Sequence, residues 1–103
     1  PTLFDQASGI GGMWNSHLKP CWQSMQTNIS KFSTMFGEFP WPENAPIFPR
    51  QHEVYLYLLD YVKHFLTDDV FQLNTKVLKI SCTDDEPVRW TVEYRSNSAD
   101  SIL

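Results

Sequence analysis

Prolines at positions 20, 40, 42, 46 and 49 all fall in one part of this 103-residue chain, and they exclude long regular structure between Met13 and Arg50. The densest part is Thr27 to Glu43, TNISKFSTMFGEFPWPE, which mixes Pro, Gly and aromatic residues with no helix or strand period. A long irregular segment inside an α/β chain is usually a functional loop. Trp14, Trp22, Trp41 and the phenylalanines from Phe32 to Phe48 lie in this half. With no period to place them on one face, clustered aromatics are expected to wall a pocket or to pack beneath the loop.

The flanks are regular. Thr2-Leu3-Phe4 reads as a short buried strand ending at Asp5, and Gly9, Gly11 and Gly12 mark a turn after it. A helical turn fits around Trp22 to Met25. Val54, Tyr57, Leu58, Tyr61, Val62 and Phe65 form one apolar stripe at helical spacing. Pro49 lies just upstream, Glu53 sits in the first turn, and Lys63 and His64 sit near the end, each where the helix dipole favours its charge. Residues 70–73 and 77–80 read as strand, with one long bent strand an option. Asp84-Asp85-Glu86-Pro87 is a turn. Val88, Trp90, Val92 and Tyr94 alternate with Arg89, Thr91, Glu93 and Arg95, the pattern of a strand with one buried and one wet face. This strand is expected to pair antiparallel with residues 76–82, with Trp90 among its more buried members. Residues 96–101 are polar and expected to fray. The chain thus divides into a strand and glycine turn (1–14), a loop (15–50), a helix (51–66) and strands (70–95). A strand–crossover–strand order implies that residues 2–4 pair in parallel with about 70–74, with the helix packed on the sheet.

Composition excludes several classes. The net charge of -4, with eight scattered Lys and Arg, argues against a nucleic-acid surface. Cys21 and Cys82 fit neither a disulfide framework nor a zinc site, and free thiols suit a reducing compartment, which points to the cytoplasm. His17, His52 and His64 have no metal-pair spacing. No apolar run is long enough to span a bilayer.

Three places carry candidate chemistry. Asp5 ends a strand, where a carboxylate in a nucleotide-binding α/β fold commonly accepts a ribose hydroxyl; an ordinary solvated turn acid is the plainer reading. Gly9-Ile10-Gly11-Gly12 lacks the closing half of a phosphate loop and follows an acid, so it reads as a turn needing close backbone approach, or as a plain turn. Asn28 is the carboxamide to single out: buried in such a loop it must find partners, and a bound ligand would supply them. Its plainer reading is an Asx-turn residue.

The four pieces together resemble the flavin-containing monooxygenase family. PTLFDQASGIGGMW looks like the second strand of that family's flavin-binding domain, with Asp5 in place of the usual Glu. QTNISKFSTMFGEFPWPE resembles its T-N-x-S-K…M-x-F-x-D-F-P-x-P block, with Glu38 in place of Asp. FPRQHEVYLYLLDYVKHF is similar to the helix that follows, and NTKVLKI and RWTVEY to the strands after it.

The resemblance implies a partial FAD-binding, Rossmann-like α/β domain: strand 2, long loop, helix, strand 3 and an antiparallel β-hairpin. It implies an FAD- and NADPH-dependent monooxygenase that oxygenates an amine nitrogen or a sulfide sulfur with O₂ through a C4a-hydroperoxyflavin. Asp5 would hold the adenosine ribose, and Gly11, Gly12 and Trp14 would lie along the ribityl and pyrophosphate side. Thr27 and Asn28 would stand beside the isoalloxazine, with Asn28 as the catalytic carboxamide, and Val77 would meet the adenine through its backbone. The glycine loops for FAD and NADPH are expected outside this chain, which is therefore expected to be an excerpt without activity of its own. A Baeyer–Villiger-type flavin monooxygenase is the nearer rival, disfavoured by the Thr27-Asn28 pair. A non-enzymatic aromatic-rich binding module is the more distant one.

Overall fold

A computed structural model describes residues 1–22 and 24–97. The chain divides into two compact units, one of residues 9–67 and one of residues 1–8 with 68–103.

The first unit is a loop wrapped on a helix. The loop holds more order than its prolines suggest. The amide of Met25 donates to Trp22, giving the expected turn. A one-turn helix α1, Lys31–Thr34, lies where periodicity gives no sign of one. It fits between two irregular stretches because KFST lies in a run free of Pro and Gly.

Helix α2 runs Gln51–Phe65, over the stripe that the sequence places there. It is entered through Arg50, whose N–H donates to the Glu53 carboxylate at 3.0 Å. This is half of a capping box, because the Arg50 side chain offers only donors and cannot accept the reciprocal bond. The apolar stripe does not wait for a sheet within this unit; the loop covers it. Trp41 stacks on Tyr57 with ring centres 4.1 Å apart and planes 10° apart. Phe36 lies 4.2 Å from Tyr61, and Phe39 meets Tyr57 at 5.4 Å and Tyr61 at 5.7 Å. Tyr57 and Tyr61 are one helical turn apart, so successive loop aromatics fall on successive rungs. Each such pair adds about 0.5–1.5 kcal/mol beyond the area it buries. Trp41, Val54 and Tyr57 form the buried cluster, with Trp14, Met35 and Phe39 packed against it. Of the expected loop aromatics, Trp22, Phe32, Phe36 and Phe48 stay exposed, Phe36 even with its ring against Tyr61.

The second unit holds the strands. Strand β1, Leu3–Phe4, pairs in parallel with β2, Phe71–Gln72, with Leu3 opposite Phe71 and Phe4 opposite Gln72. Strand β3, Thr75–Cys82, pairs antiparallel with β4, Trp90–Ser96. Both pairings are those expected. β2 and β3 are separate strands and not one bent strand: Asn74, at φ 54°, turns the chain between them. Asn is among the few residues that adopt this left-handed conformation readily.

The hairpin corrects one expectation. Its register skips Leu78, and this bulge brings Val77, Ile80 and Cys82 opposite Tyr94, Val92 and Trp90. The apolar residues therefore share one face, as the alternation requires. Yet Trp90 is 69% exposed, and Ile80 and Tyr94 are exposed too. Among the described residues of this unit no second layer lies over that face, apart from Phe4 against Tyr94 at 5.0 Å. Alternation reports which side chains share a face, not whether something covers it. Ser96 closes β4, and residues 98–101 of the expected frayed segment lie outside the described residues.

Candidate functional site

The residues singled out by sequence fall in both units, and each unit is built differently. In the strand unit, Asp5 is exposed, and one carboxylate oxygen, Oδ1, accepts from the Ala7 N–H at 2.9 Å. Among the described residues Oδ2 has no partner, so the side chain keeps acceptor capacity. The Asp5 carbonyl accepts from the Thr75 N–H at 2.9 Å, and the Asn74 carbonyl accepts from Asn97 at 2.7 Å. These two bonds set the phase of β3. The Asn74 carbonyl faces β4 while its N–H donates to the Ala7 carbonyl at 2.9 Å; the Thr75 N–H faces Asp5, and by the two-residue alternation of a strand the Val77 backbone faces that same edge. Val77 thus has a backbone N–H and C=O outside its own ladder, on the same edge as the Asp5 backbone. That is the chemistry an adenosine contact needs: an acid for a ribose hydroxyl, and a donor with an acceptor for a purine edge.

In the loop unit, the glycine turn is held by Asn15, which is buried. Its Nδ2 donates to the Ile10 carbonyl at 2.8 Å and its Oδ1 accepts from the His17 N–H at 3.0 Å. Gly11, at φ 109°, lies so close to Tyr55 that a Cβ there would meet the ring at 2.8 Å. The close approach is therefore to the helix. Gly12, at φ 54°, faces open space. Trp14 is packed into the core cluster, with its carbonyl accepting from the Gln51 side chain. Of the two glycines only Gly12 leaves open space beside the backbone, though its carbonyl accepts from the Asn15 N–H at 3.1 Å; Gly11 and Trp14 shape the turn.

Thr27 and Asn28 behave oppositely, though adjacent. Thr27 is buried, its N–H donating to Pro49 at 2.9 Å and its hydroxyl to the Ile29 carbonyl at 2.8 Å. It borders a cavity of about 180 Å³ whose walls include Trp14, Phe36 and Tyr57. Asn28 is exposed, and its carboxamide has no hydrogen-bond partner among the described residues. The expectation of a buried Asn is corrected, and the Asx-turn reading does not hold either. Thr27 makes the turn, and Asn28 is projected from it with its donor and acceptor unspent.

Three residues matter here that sequence reasoning gave no role. Lys31 is 8% exposed, and its ammonium donates to the Ala45 carbonyl at 2.6 Å and to that of Glu43 at 3.4 Å. The Tyr57 hydroxyl accepts from the Phe36 N–H at 2.9 Å and donates to the Phe39 carbonyl. Gln51 ties the helix start to Trp14. Nothing in periodicity announces a buried ammonium whose partners are backbone carbonyls twelve and fourteen residues away. A larger cavity of about 430 Å³ is lined by Lys31, Phe32, Met35, Pro40, Trp41 and Glu43; Phe32 and Trp41 are among the loop aromatics expected to wall a pocket, but none of the residues expected to meet the cofactor lines it. Among the described residues no group of His, Cys, Asp or Glu could hold a metal ion, and no helix is long and apolar enough to cross a membrane.

A family model described as flavin-binding monooxygenase-like matches residues 1–100. Among curated proteins, the chain is 32% identical over 105 residues to dimethylaniline monooxygenase (N-oxide-forming) 2 of Macaca mulatta, covering 94% of this chain and 20% of that protein. It is 25% identical over 121 residues to flavin-containing monooxygenase FMO GS-OX-like 6 of Arabidopsis thaliana, covering 94% of this chain and 26% of that one. Among solved structures, S-allyl-L-cysteine S-oxygenase from Allium sativum matches with a TM-score of 0.75 at 21% identity, over 94% of this chain and 27% of that chain. An oxidized steroid monooxygenase bound to NADP matches with a TM-score of 0.70 at 20% identity, over 90% and 18%. The chain spans about a fifth to a quarter of the length of these two curated relatives, and the two structural likenesses establish a shared fold.

Proposed function

Since the chain belongs to the flavin-binding monooxygenase-like family, we propose that it forms part of an enzyme that uses FAD, NADPH and O₂ to oxygenate a soft nucleophile, an amine nitrogen or a sulfide sulfur. The names of its relatives, one N-oxide-forming and one an S-oxygenase, support that substrate class. The observation that carries the reading is Asn28: a neutral carboxamide free at its side chain, on a segment anchored at Thr27 and Lys31.

The flavin, when bound, supplies the reductive activation of dioxygen. The protein's own residues bind and hold. In the strand unit, Asp5 Oδ2 accepts from a ribose hydroxyl, and the outward N–H and C=O of Val77 meet an adenine edge. In the loop unit, Gly12 lets the cofactor approach the backbone, while Gly11 and Trp14 keep that turn in place. Thr27 sets the turn from which Asn28 Nδ2 donates to the oxygen being transferred. An amide suits this role, because it donates without an acidic proton to release. The productive balance is NADPH, H⁺, O₂ and substrate giving NADP⁺, water and oxygenated substrate. Without substrate oxygenation the same electrons leave as hydrogen peroxide.

The test is Asn28→Asp in the protein that carries this chain, with dimethylaniline and S-allyl-L-cysteine as substrates. Flavin content is expected to hold. The variant loses the NH₂ donor and places a charge where negative charge develops, so oxygenation falls by on the order of 10²–10³. NADPH consumption continues, and peroxide replaces product. Normal coupling in this variant would sink the catalytic role of Asn28. Failure of both substrates with the unmodified protein would sink the substrate class.

A further inference from the structure

The stretch from Thr27 to Lys31 is tied to the 43–49 side of the loop at its two ends; between them the Ile29 carbonyl accepts from the Thr27 hydroxyl and the Ser30 carbonyl from Ser33 and Thr34. At Thr27 the N–H donates to the Pro49 carbonyl at 2.9 Å. At Lys31 the N–H donates to the Ile47 carbonyl at 2.7 Å, and the ammonium to the carbonyls of Ala45 and Glu43. Between these anchors Asn28 and Ile29 are exposed, and the Asn28 carboxamide has no partner of its own among the described residues. Where Asn28 sits is therefore decided by the anchors.

Lys31 is an odd anchor on stability grounds. Lysine is almost never this buried without a counter-charge, and removing an ammonium from water is costly even when it is hydrogen-bonded. Its hydrogen-bond partners are neutral carbonyls, and among the described residues no ion pair offsets that cost. What lysine alone provides is reach: a four-carbon stem, with the Phe32 ring beside its ammonium at 5.4 Å, carrying a point donor to two carbonyls at once. Arginine's planar fork is bulkier, and an apolar side chain has no donor. We infer that Lys31 is the positioning residue of Asn28, and that its ammonium fixes the Asn28 segment on the 43–49 side of the loop so that Nδ2 stays within reach of the reacting oxygen. This inference rests on the functional reading of Asn28 under Proposed function.

The experiment compares Lys31→Met, Lys31→Gln, Asn28→Ala and the double variant Asn28→Ala/Lys31→Met in the flavin-loaded protein. It reads flavin absorbance per protein, the thermal melt, and the ratio of hydrogen peroxide to oxygenated dimethylaniline. Lys31→Met keeps length without a donor; Lys31→Gln keeps a donor but is too short for both carbonyls. Both are expected to retain flavin and a cooperative melt. In both, the peroxide-to-product ratio is expected to rise ~10-fold or more, because a misplacement of ~1 Å can cost on the order of 10²-fold. The double variant is expected to be no worse than Asn28→Ala alone, since the two residues act through one contact. If either Lys31 variant folds, binds flavin and stays coupled, the inference fails. It fails too if both variants lose flavin or the cooperative melt, for Lys31 would then serve the fold at large. Additive losses in the double variant overturn it as well. Normal coupling in Asn28→Ala would instead sink the reading of Asn28 itself, whatever Lys31 does.

Discussion

At Gly11 a methyl group would meet two obstacles: a left-handed backbone at φ 109° and the Tyr55 ring at 2.8 Å. At Gly12 it would meet only the first, at φ 54°. Gly11→Ala is therefore expected to lower stability by ~1–3 kcal/mol, and Gly12→Ala by about 1 kcal/mol. Urea melts of the two variants check this, and equal losses would mean that Tyr55 moves aside at little cost. If Gly12 is where a cofactor approaches, its variant should lose more flavin affinity than its small loss of stability implies. Tyr57 makes a second case. Its ring is core, but its hydroxyl bridges Phe36 and Phe39, 21 and 18 positions away. Tyr57→Phe keeps the ring and leaves a donor and an acceptor unpaired, for a loss of about 1–3 kcal/mol. Amide exchange should quicken at Phe36; exchange unchanged there would show that the loop holds without the bridge.

At the scale of elements, α2 begins with an incomplete cap. Glu53 accepts from the Arg50 N–H, but the Arg50 side chain returns nothing to the N–H groups of the first turn. Arg50→Ser supplies the missing acceptor and is expected to stabilise by about 0.5–1 kcal/mol. Glu53→Ala removes the half that exists and is expected to cost a similar amount. Thermal melts decide both, and a fall in stability for Arg50→Ser would mean that the exposed arginine does something the cap does not explain. The loop is the more unusual element, since it is fastened by scattered contacts: Asn15, Lys31 and Tyr57 side chains on backbone carbonyls and amides. Such contacts satisfy buried backbone groups that a helix or sheet would otherwise pair.

At the scale of the molecule, the hairpin's apolar face dominates. Ile80, Trp90 and Tyr94 are exposed on one side of the ribbon. A two-stranded ribbon with a bare apolar face is a template for association. The 103-residue chain studied alone is expected to self-associate at micromolar concentration and to bind a hydrophobic dye. Replacing Ile80, Trp90 and Val92 with Thr is expected to reduce both while keeping the strand signal in circular dichroism. Sedimentation would expose an error here if the unaltered chain remained a monomer at high concentration.

Much is legible in the sequence because it rests on local periodicity. The stripe from Val54 to Phe65 places α2, and the alternation from Val88 to Arg95 places β4. The strand–crossover–strand order leads to the parallel pairing of Leu3 with Phe71, since a parallel pair needs a long connection. Asn28 stands out in the sequence as a residue to watch, but not as an exposed one. What only the tertiary structure decided is non-local. That the loop aromatics would climb the rungs of α2, that Lys31 would be buried on the carbonyls of Glu43 and Ala45, and that Trp90 would lie bare all depend on which surfaces meet. Periodicity assigns a side chain to a face. Burial follows only when a second surface, set by residues far along the chain, comes to cover it.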